Sequence, residues 1–89
     1  MHSYEIGRTY YFEGMVWSWI GRVAAVTATD ILLEAGAAKV FQEGLRFSEF
    51  LRSGPTAESE IEQAPGRTIL NRSAISHATE WGLPIPGTI

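Results

Sequence analysis

The chain lacks cysteine altogether and has one aspartate and two histidines among its 89 residues. Without thiols it can form neither a disulfide nor a thiolate zinc site. A catalytic centre needs a nucleophile, an acid or a base with partners in reach, and few such groups are present. We therefore expect a protein that is not an enzyme, with no catalytic residue, no cofactor, no metal site and no small-molecule substrate.

Positive charge is also scarce and scattered. Seven lysines and arginines face ten acidic residues, so the formal net charge is -3. Domains that bind nucleic acids usually concentrate basic residues, because contacts to phosphates supply much of their affinity. No glycine-rich phosphate-binding motif occurs either. These observations argue against nucleic acid as the main partner.

Long apolar runs are missing. No stretch approaches the ~20 apolar residues that cross a membrane as a helix. The first residues lack the basic-then-apolar order of a secretory signal. We expect a protein without a membrane partner, located in the cytoplasm or, if it belongs to a virus, in the virion.

The two histidines do not indicate a catalytic pair or a metal site. His2 follows the first methionine, and His77 follows Ser76 in a predicted strand. Neighbouring strand residues point to opposite faces, so we expect Ser76 and His77 not to form a nucleophile–base pair. A metal pair of His77 and Glu80 would lack the further ligands that a zinc site needs.

What the chain does contain is apolar and aromatic sequence, at 45% and 11% of the residues. The length predicts one domain over residues 1–89. From Thr9 to Thr27 the composition favours strands, with Gly14 and Gly21 marking bends. Residues 15–20 alternate in two sets that are both largely apolar. Either both faces of this strand are covered within one chain, or one face meets a partner.

The remaining elements follow from spacing and turn residues. Residues 27–30 are expected to form a hairpin connection, residues 31–35 a strand and residues 39–41 a short strand. Phe47, Phe50 and Leu51 share a helix face, which predicts a short helix over residues 46–52. Residues 67–81 are expected to form the last strand region.

Three segments are expected to lie outside the sheet. We predict an extended N-terminal arm at residues 1–8, an acidic loop at residues 54–66 and an extended C-terminal arm at residues 82–89. Pro84 and Pro86 exclude the last segment from a central strand.

Two short stretches resemble the Sm-like family, most closely its bacterial Hfq-type RNA chaperones. Residues 21–26 with residues 31–34 resemble the first Sm motif, and Ala74-Ile75-Ser76 after Arg72 resembles the second. The resemblance implies a mainly β fold, a small SH3-like or Sm-like barrel with one short inserted helix. It also implies a habit of forming rings.

The chain departs from that pattern where the family contacts RNA. Thr27 stands where the first motif has aspartate, and Arg72-Ser73 stands where the second has Lys-His. Residues 37–73 separate motifs that are nearly adjacent in the family. A nucleic-acid-binding Sm-like module, with Arg22 and Arg72 as the contact residues, is therefore an alternative hypothesis.

A second resemblance is to small accessory proteins of tailed bacteriophages. It rests on residues 17–23, residues 46–51 and the ending that begins at Trp81. It implies a role in a phage particle, as a capsid or tail accessory protein.

Together these points predict a structural or assembly protein that self-associates or decorates a larger particle. The expected partners are copies of itself and other virion proteins. The candidate interface residues are apolar side chains of the strand region, the helix and the C-terminal arm: Trp17, Trp19, Phe47, Phe50, Leu83, Ile85 and Ile89. A further alternative is a small adaptor or inhibitor that binds one basic host protein through its acidic residues 58–62.

Overall fold

The computed structural model describes residues 3–15, 17–41, 47–56 and 59–88. These residues are mainly in β-strands, with one α-helix and one short 3₁₀ turn. In chain order the elements are β1 (Thr9–Gly14), β2 (Ser18–Val26), β3 (Asp30–Leu33), β4 (Ala38–Phe41), α1 (Phe47–Ser53), β5 (Glu60–Gln63), β6 (Thr68–Asn71), the 3₁₀ turn (Arg72–Ala74) and β7 (Ile75–Glu80).

Strand β2 is the centre of the sheet. One side of β2 pairs with β1, which pairs in turn with β7. The other side is shared: residues 18–20 pair with β4, and residues 23–26 pair with β3. Strand β3 continues to β6, and β4 continues to β5. Every one of these pairs is antiparallel. Because β3 pairs with β6, the elements β4, α1 and β5 form an insertion between two paired strands.

A bend in β2 makes this sharing possible. The register between β2 and β3 shifts between Val23 and Ala25, which is the mark of a bulge. Just before it, Gly21 lets β3 approach closely. A Cβ atom at Gly21 would lie 2.7 Å from Cδ1 of Leu33 and 3.1 Å from Cβ of Ala37. The prediction that Gly21 marks a bend agrees with this packing.

The bent sheet encloses one hydrophobic core between its two halves. We call it core A; its buried members are Tyr10, Phe12, Val23, Ile31, Leu33, Ala37 and Leu70. The half-buried side chains of Tyr4 and Trp19 pack against it. Core A uses one alternating set of residues from β1 and β2.

The other set faces a second cluster on the opposite side of the sheet. We call it core B; its buried members are Tyr11, Ile20, Ala38, Val40, Phe50, Ile61 and Trp81. Helix α1 covers core B with Phe50, and the C-terminal segment adds Leu83 and Ile85. The apolar side chains of β2 are thus covered on both faces within one chain, whereas Met15 and Trp17, which precede β2 in the alternating stretch, are exposed.

Both terminal segments pack on their own domain. At the N-terminus, the N–H of Gly7 donates to the carbonyl of Val23 (2.8 Å). At the C-terminus, the indole N–H of Trp81 donates to the carbonyl of Pro84 (3.1 Å). The backbone N–H of Gln63 donates to Oγ1 of Thr88 (3.0 Å). The C-terminal segment has no helix or strand, and the N-terminal one contains a turn at residues 6–7, where the N–H of Arg8 donates to the carbonyl of Glu5 (3.1 Å), so the prediction of an extended N-terminal arm is wrong there. Residues 1, 2 and 89 lie outside the described part.

Two predicted segments need correction. The expected acidic loop at residues 54–66 contains strand β5, in which Ile61 is buried and Glu60 and Glu62 are exposed. One buried residue between exposed neighbours suffices for a strand at the edge of a sheet. The expected last strand region is broken by the 3₁₀ turn, because the Asn71 side chain accepts the N–H of Ser73 and turns the chain.

The mainly β class with one short helix is confirmed. Within the described residues the sheet is not closed into a barrel, since β6 and β7 do not pair. The helix begins at Phe47, and residue 46 of the predicted helix lies outside the described part. No helix in that part is long and apolar enough to cross a bilayer.

Candidate functional site

A group of exposed aromatic side chains lies where β4 meets the connection between β1 and β2. Trp17 and Phe41 are 39% and 37% exposed, and their ring centroids are 5.6 Å apart at 64°. Met15, in the same connection, is 98% exposed. Side chains of this size are usually buried when nothing in the fold or its partners requires otherwise.

The strand register explains why charged residues surround this group. Lys39 and Phe41 alternate with Val40, which faces core B, so both point to the other side of the sheet. In β5, Glu62 lies opposite Lys39, and Glu60 lies opposite Phe41. We call this surface the Trp17 face; its members are Met15, Trp17, Lys39, Phe41, Glu60 and Glu62.

A tight turn sets the position of Trp17. The N–H of Gly14 donates to the carbonyl of Trp17 (3.1 Å) and closes the connection between β1 and β2. A Cβ atom at Gly14 would lie 2.5 Å from that carbonyl oxygen. Only glycine permits this approach without movement of the turn.

Trp17 stands between two hollows. The larger, about 340 Å³, is lined by Trp17, Lys39, Glu60, Ile61, Glu62 and Thr88. The smaller, about 170 Å³, is lined by Gly14, Met15, Trp17, Trp19, Leu70, Asn71, Ala74 and Ile75. A group that entered either hollow would therefore reach the Trp17 side chain.

The ammonium group of Lys39 contacts the Trp17 ring instead of a carboxylate. The ammonium nitrogen of Lys39 lies 4.1 Å from the centroid of the Trp17 ring, a cation–π contact. Lys39 also lies directly opposite Glu62, where opposite charges often pair across strands. The ion pairs of the described residues nevertheless involve only Glu5, Glu34 and Glu80. Glu60 and Glu62 therefore have no ion-pair partner there.

The structure separates the candidate interface residues. Trp17 is exposed, and Trp19 is half-buried against core A. Phe47 is 44% exposed and lies edge-on to Tyr11 and His77. Phe50 is only 1% exposed, so it is a core residue and not a surface candidate.

The candidates of the C-terminal segment take a different role from the predicted one. Leu83 and Ile85 are half-buried on core B, so they cover their own domain. Ile89 lies outside the described residues. Phe41 was not among the predicted candidates, although its position in β4, out of phase with the buried Ala38 and Val40, indicates an exposed side chain.

The two arginines of the nucleic-acid alternative are held by structural contacts. The Nε–H of Arg22 donates to the carbonyl of Gly7 (2.8 Å), and Arg22 pairs with Glu34 (3.5 Å). Nη1 of Arg72 donates to the carbonyl of Thr27 (2.8 Å). Arg72 also lines a hollow of about 390 Å³ with Ser3, Tyr4, Tyr10 and Ala78. Arg22 does not line that hollow, so the structure does not join the two arginines in one site.

The side chains of Ser76 and His77 lie closer than the alternation of a regular strand predicts, but the Ser76 hydroxyl donates its hydrogen to Glu13, so the expectation that they form no nucleophile–base pair is not overturned. Oγ of Ser76 lies 3.3 Å from Nδ1 of His77 and donates to the carbonyl of Glu13 (3.1 Å). The register between β1 and β7 shifts beside Glu13, so Ser76 is the extra residue of a bulge and both side chains can meet. Among the described residues no carboxylate is hydrogen-bonded to His77, so the third group of a catalytic triad is missing.

A buried polar network borders core B. The hydroxyl of Tyr11 donates to Oγ of Ser18 (3.0 Å), and both hydroxyls contact the carboxylate of Glu13. Burial raises the pKa of Tyr11; the hydrogen bond with Ser18 acts in the opposite direction, and the charge of Glu13 raises the pKa further. The network satisfies polar groups at the edge of the core.

Comparison with protein-family models, with curated protein sequences and with solved structures finds no match to this chain. In the part of the chain that the structure describes, no three His, Cys, Asp or Glu side chains are grouped to hold a metal ion.

Proposed function

We propose that this chain is a non-enzymatic assembly protein that binds other protein subunits through the Trp17 face. Those subunits are further copies of the chain or other components of a larger particle. The observation that carries the proposal is the pair of half-exposed aromatic rings of Trp17 and Phe41 beside the exposed Met15.

The apolar half of this face, formed by Met15, Trp17 and Phe41, has residue types that are common in protein-binding surfaces. Aromatic residues and methionine are enriched in interfaces, and tryptophan is among the residues that contribute most to binding energy. The terminal segments, by contrast, are used to cover cores A and B. The face is therefore better placed than the arms to bind another subunit.

The proposal extends to the fold family and the biological setting. The five-stranded path β7-β1-β2-β3-β6 with its bent β2 supports relation to the SH3-like or Sm-like small barrels. The sequence resemblance to accessory proteins of tailed phages supports a virion as the particle. Neither extension is needed for binding through the Trp17 face.

Site-specific cross-linking tests the proposal. A photoreactive amino acid replaces Met15 in the face or, as a control, Ile6, which is 66% exposed elsewhere. After irradiation in the cells that naturally make the chain, we expect a discrete adduct from position 15 and none from position 6. An adduct of twice 9.8 kDa identifies a second copy, and another mass identifies a different subunit. Equal or absent adducts at the two positions would contradict the proposal.

A further inference from the structure

Two unpaired carboxylates border the larger hollow beside Trp17. Glu60 and Glu62 are both exposed on β5 and both line that hollow. The ion pairs of the described residues leave them without a basic partner. An aromatic wall next to unpaired carboxylates is suited to a positively charged group, because the ring face and the carboxylates both attract it.

Lys39 indicates what the ring of Trp17 attracts. Its ammonium group could pair with Glu62 directly across the strands, yet it lies 4.1 Å from the ring centroid. The ring face is thus occupied by a cation of the chain itself. If a second cation entered the hollow, Lys39 could turn to Glu62, so displacement would leave no charge without a partner.

We propose that this hollow binds a lysine or arginine side chain from a basic segment of a different protein, in competition with Lys39. This inference rests on the proposed function and specifies the chemistry of the partner. The incoming cation contacts the ring of Trp17 and the carboxylate of Glu60, while Lys39 pairs with Glu62.

Charge favours a different protein over a second copy as the occupant. The chain has a net charge of -3, so two copies repel each other. Four of its six described lysines and arginines are engaged: Arg8 and Arg22 in ion pairs, Arg72 with backbone carbonyls and Lys39 with the Trp17 ring. A basic segment meets no such penalty and gains from the net charge of this chain.

The test is an NMR titration of the full chain with a short peptide of alternating lysine and glycine. The indole N–H signal of Trp17 reports on the hollow. That of Trp81, whose N–H is bonded to Pro84 inside the domain, is an internal control. We expect a saturable shift of the Trp17 signal, no shift of the Trp81 signal and no binding of a matched glutamate–glycine peptide.

Matched variants separate local recognition from general attraction. In Glu60→Gln/Glu62→Gln the affinity for the basic peptide should fall about tenfold, because the incoming cation loses the carboxylate of Glu60 and the displaced Lys39 loses that of Glu62. A tenfold fall corresponds to about 1.4 kcal/mol. The control Glu49→Gln/Glu80→Gln removes the same charge on helix α1 and at the far edge of the sheet. Its affinity should stay within about twofold of the wild type, since distant exposed charges are screened by salt.

Lys39→Gln tests the competition. Removal of the internal cation should tighten peptide binding by roughly threefold or more. Weaker binding in this variant would show that Lys39 supports the site instead of competing for it, and would overturn that part of the inference. A Trp17 signal that does not shift, or equal losses in both double variants, would overturn the whole of it.

Sedimentation equilibrium identifies the competing occupant. If the chain self-associates and the oligomer does not bind the basic peptide whereas the monomer does, a second copy fills the hollow and the inference fails. The proposed function is judged separately, because cross-linking from position 15 needs no cation. If position 15 gives adducts but the peptide does not shift the Trp17 signal, the proposed function stands and only the proposed basic ligand is overturned.

Discussion

The two faces of the paired strands β4 and β5 differ in what covers them. On one face Ala38, Val40 and Ile61 are buried under helix α1 and the C-terminal segment. On the other face Phe41 and its charged neighbours stay open. The chain uses its only described helix and its tail on the first face. An aromatic residue on the second face therefore contributes little to the fold, which points to a role in binding.

The covered face should be the more sensitive to mutation. Phe50→Ala removes a ring that is 1% exposed at the centre of core B, so the free energy of unfolding should fall by about 3–5 kcal/mol. Phe47→Ala, in the same helix but 44% exposed, should cost less than about 1 kcal/mol. Urea denaturation of the pair measures both values. Similar losses would mean that α1 does not cover core B as described.

The C-terminal segment should stabilise the domain. Leu83→Ser/Ile85→Ser removes two half-buried apolar side chains from core B, which should lower the free energy of unfolding by about 2–3 kcal/mol. Thermal and urea denaturation test this. A variant as stable as the wild type would show that the tail is free to bind elsewhere, as the arm hypothesis from the sequence holds.

Adjacent residues of β4 allow the sharpest comparison of the two faces. Val40→Ala removes buried methyl groups from core B and should cost about 1–2 kcal/mol. Phe41→Ala removes a larger side chain from the open face and should cost less than about 1 kcal/mol. A greater loss from Phe41→Ala would place Phe41 among the residues required for folding. Denaturation under identical conditions decides between them.

The smallest expected effect is on the pH dependence of stability. Because the pKa of Tyr11 is raised in the folded chain, the folded state keeps its proton where the unfolded state loses it. Stability from this group is present below about pH 10 and is lost as the pH rises toward the raised value. The free energy of unfolding should therefore fall more steeply above about pH 10 in the wild type than in Tyr11→Phe. Equal slopes would contradict the assignment.

Local patterns predicted the elements that stand on local interactions. The turn residues at 27–30 predicted a hairpin connection, and there the N–H of Thr27 donates to the carbonyl of Asp30 (2.9 Å). The helix shows its apolar spacing in Phe47, Phe50 and Leu51. Strand β5 was not predicted, because Ile61 is its only buried residue and one apolar position gives no alternating pattern. Its pairing with β4 depends on the chain between them and not on its own pattern.

For a similar reason the sequence predicted Trp17 as part of the site but did not predict Phe41. Trp17 and Trp19 look alike in the alternating pattern, but Trp17 lies in the turn closed by Gly14, whereas Trp19 lies in β2 against core A. The hydroxyl of Ser76 meets His77 only because a bulge shifts the register with β1. Such differences arise from pairings between distant segments, and spacing within one segment does not contain them.

Cross-linking from position 15 in a Trp17→Ser/Phe41→Ser background tests the central claim most directly. The double variant changes the open face only, so it should remain folded and within about 1–2 kcal/mol of the wild type in its free energy of unfolding. We predict that its adduct disappears while that fold persists. An adduct of undiminished yield from the folded double variant would contradict the claim, and a variant that no longer folds would show that the two rings are required for the fold.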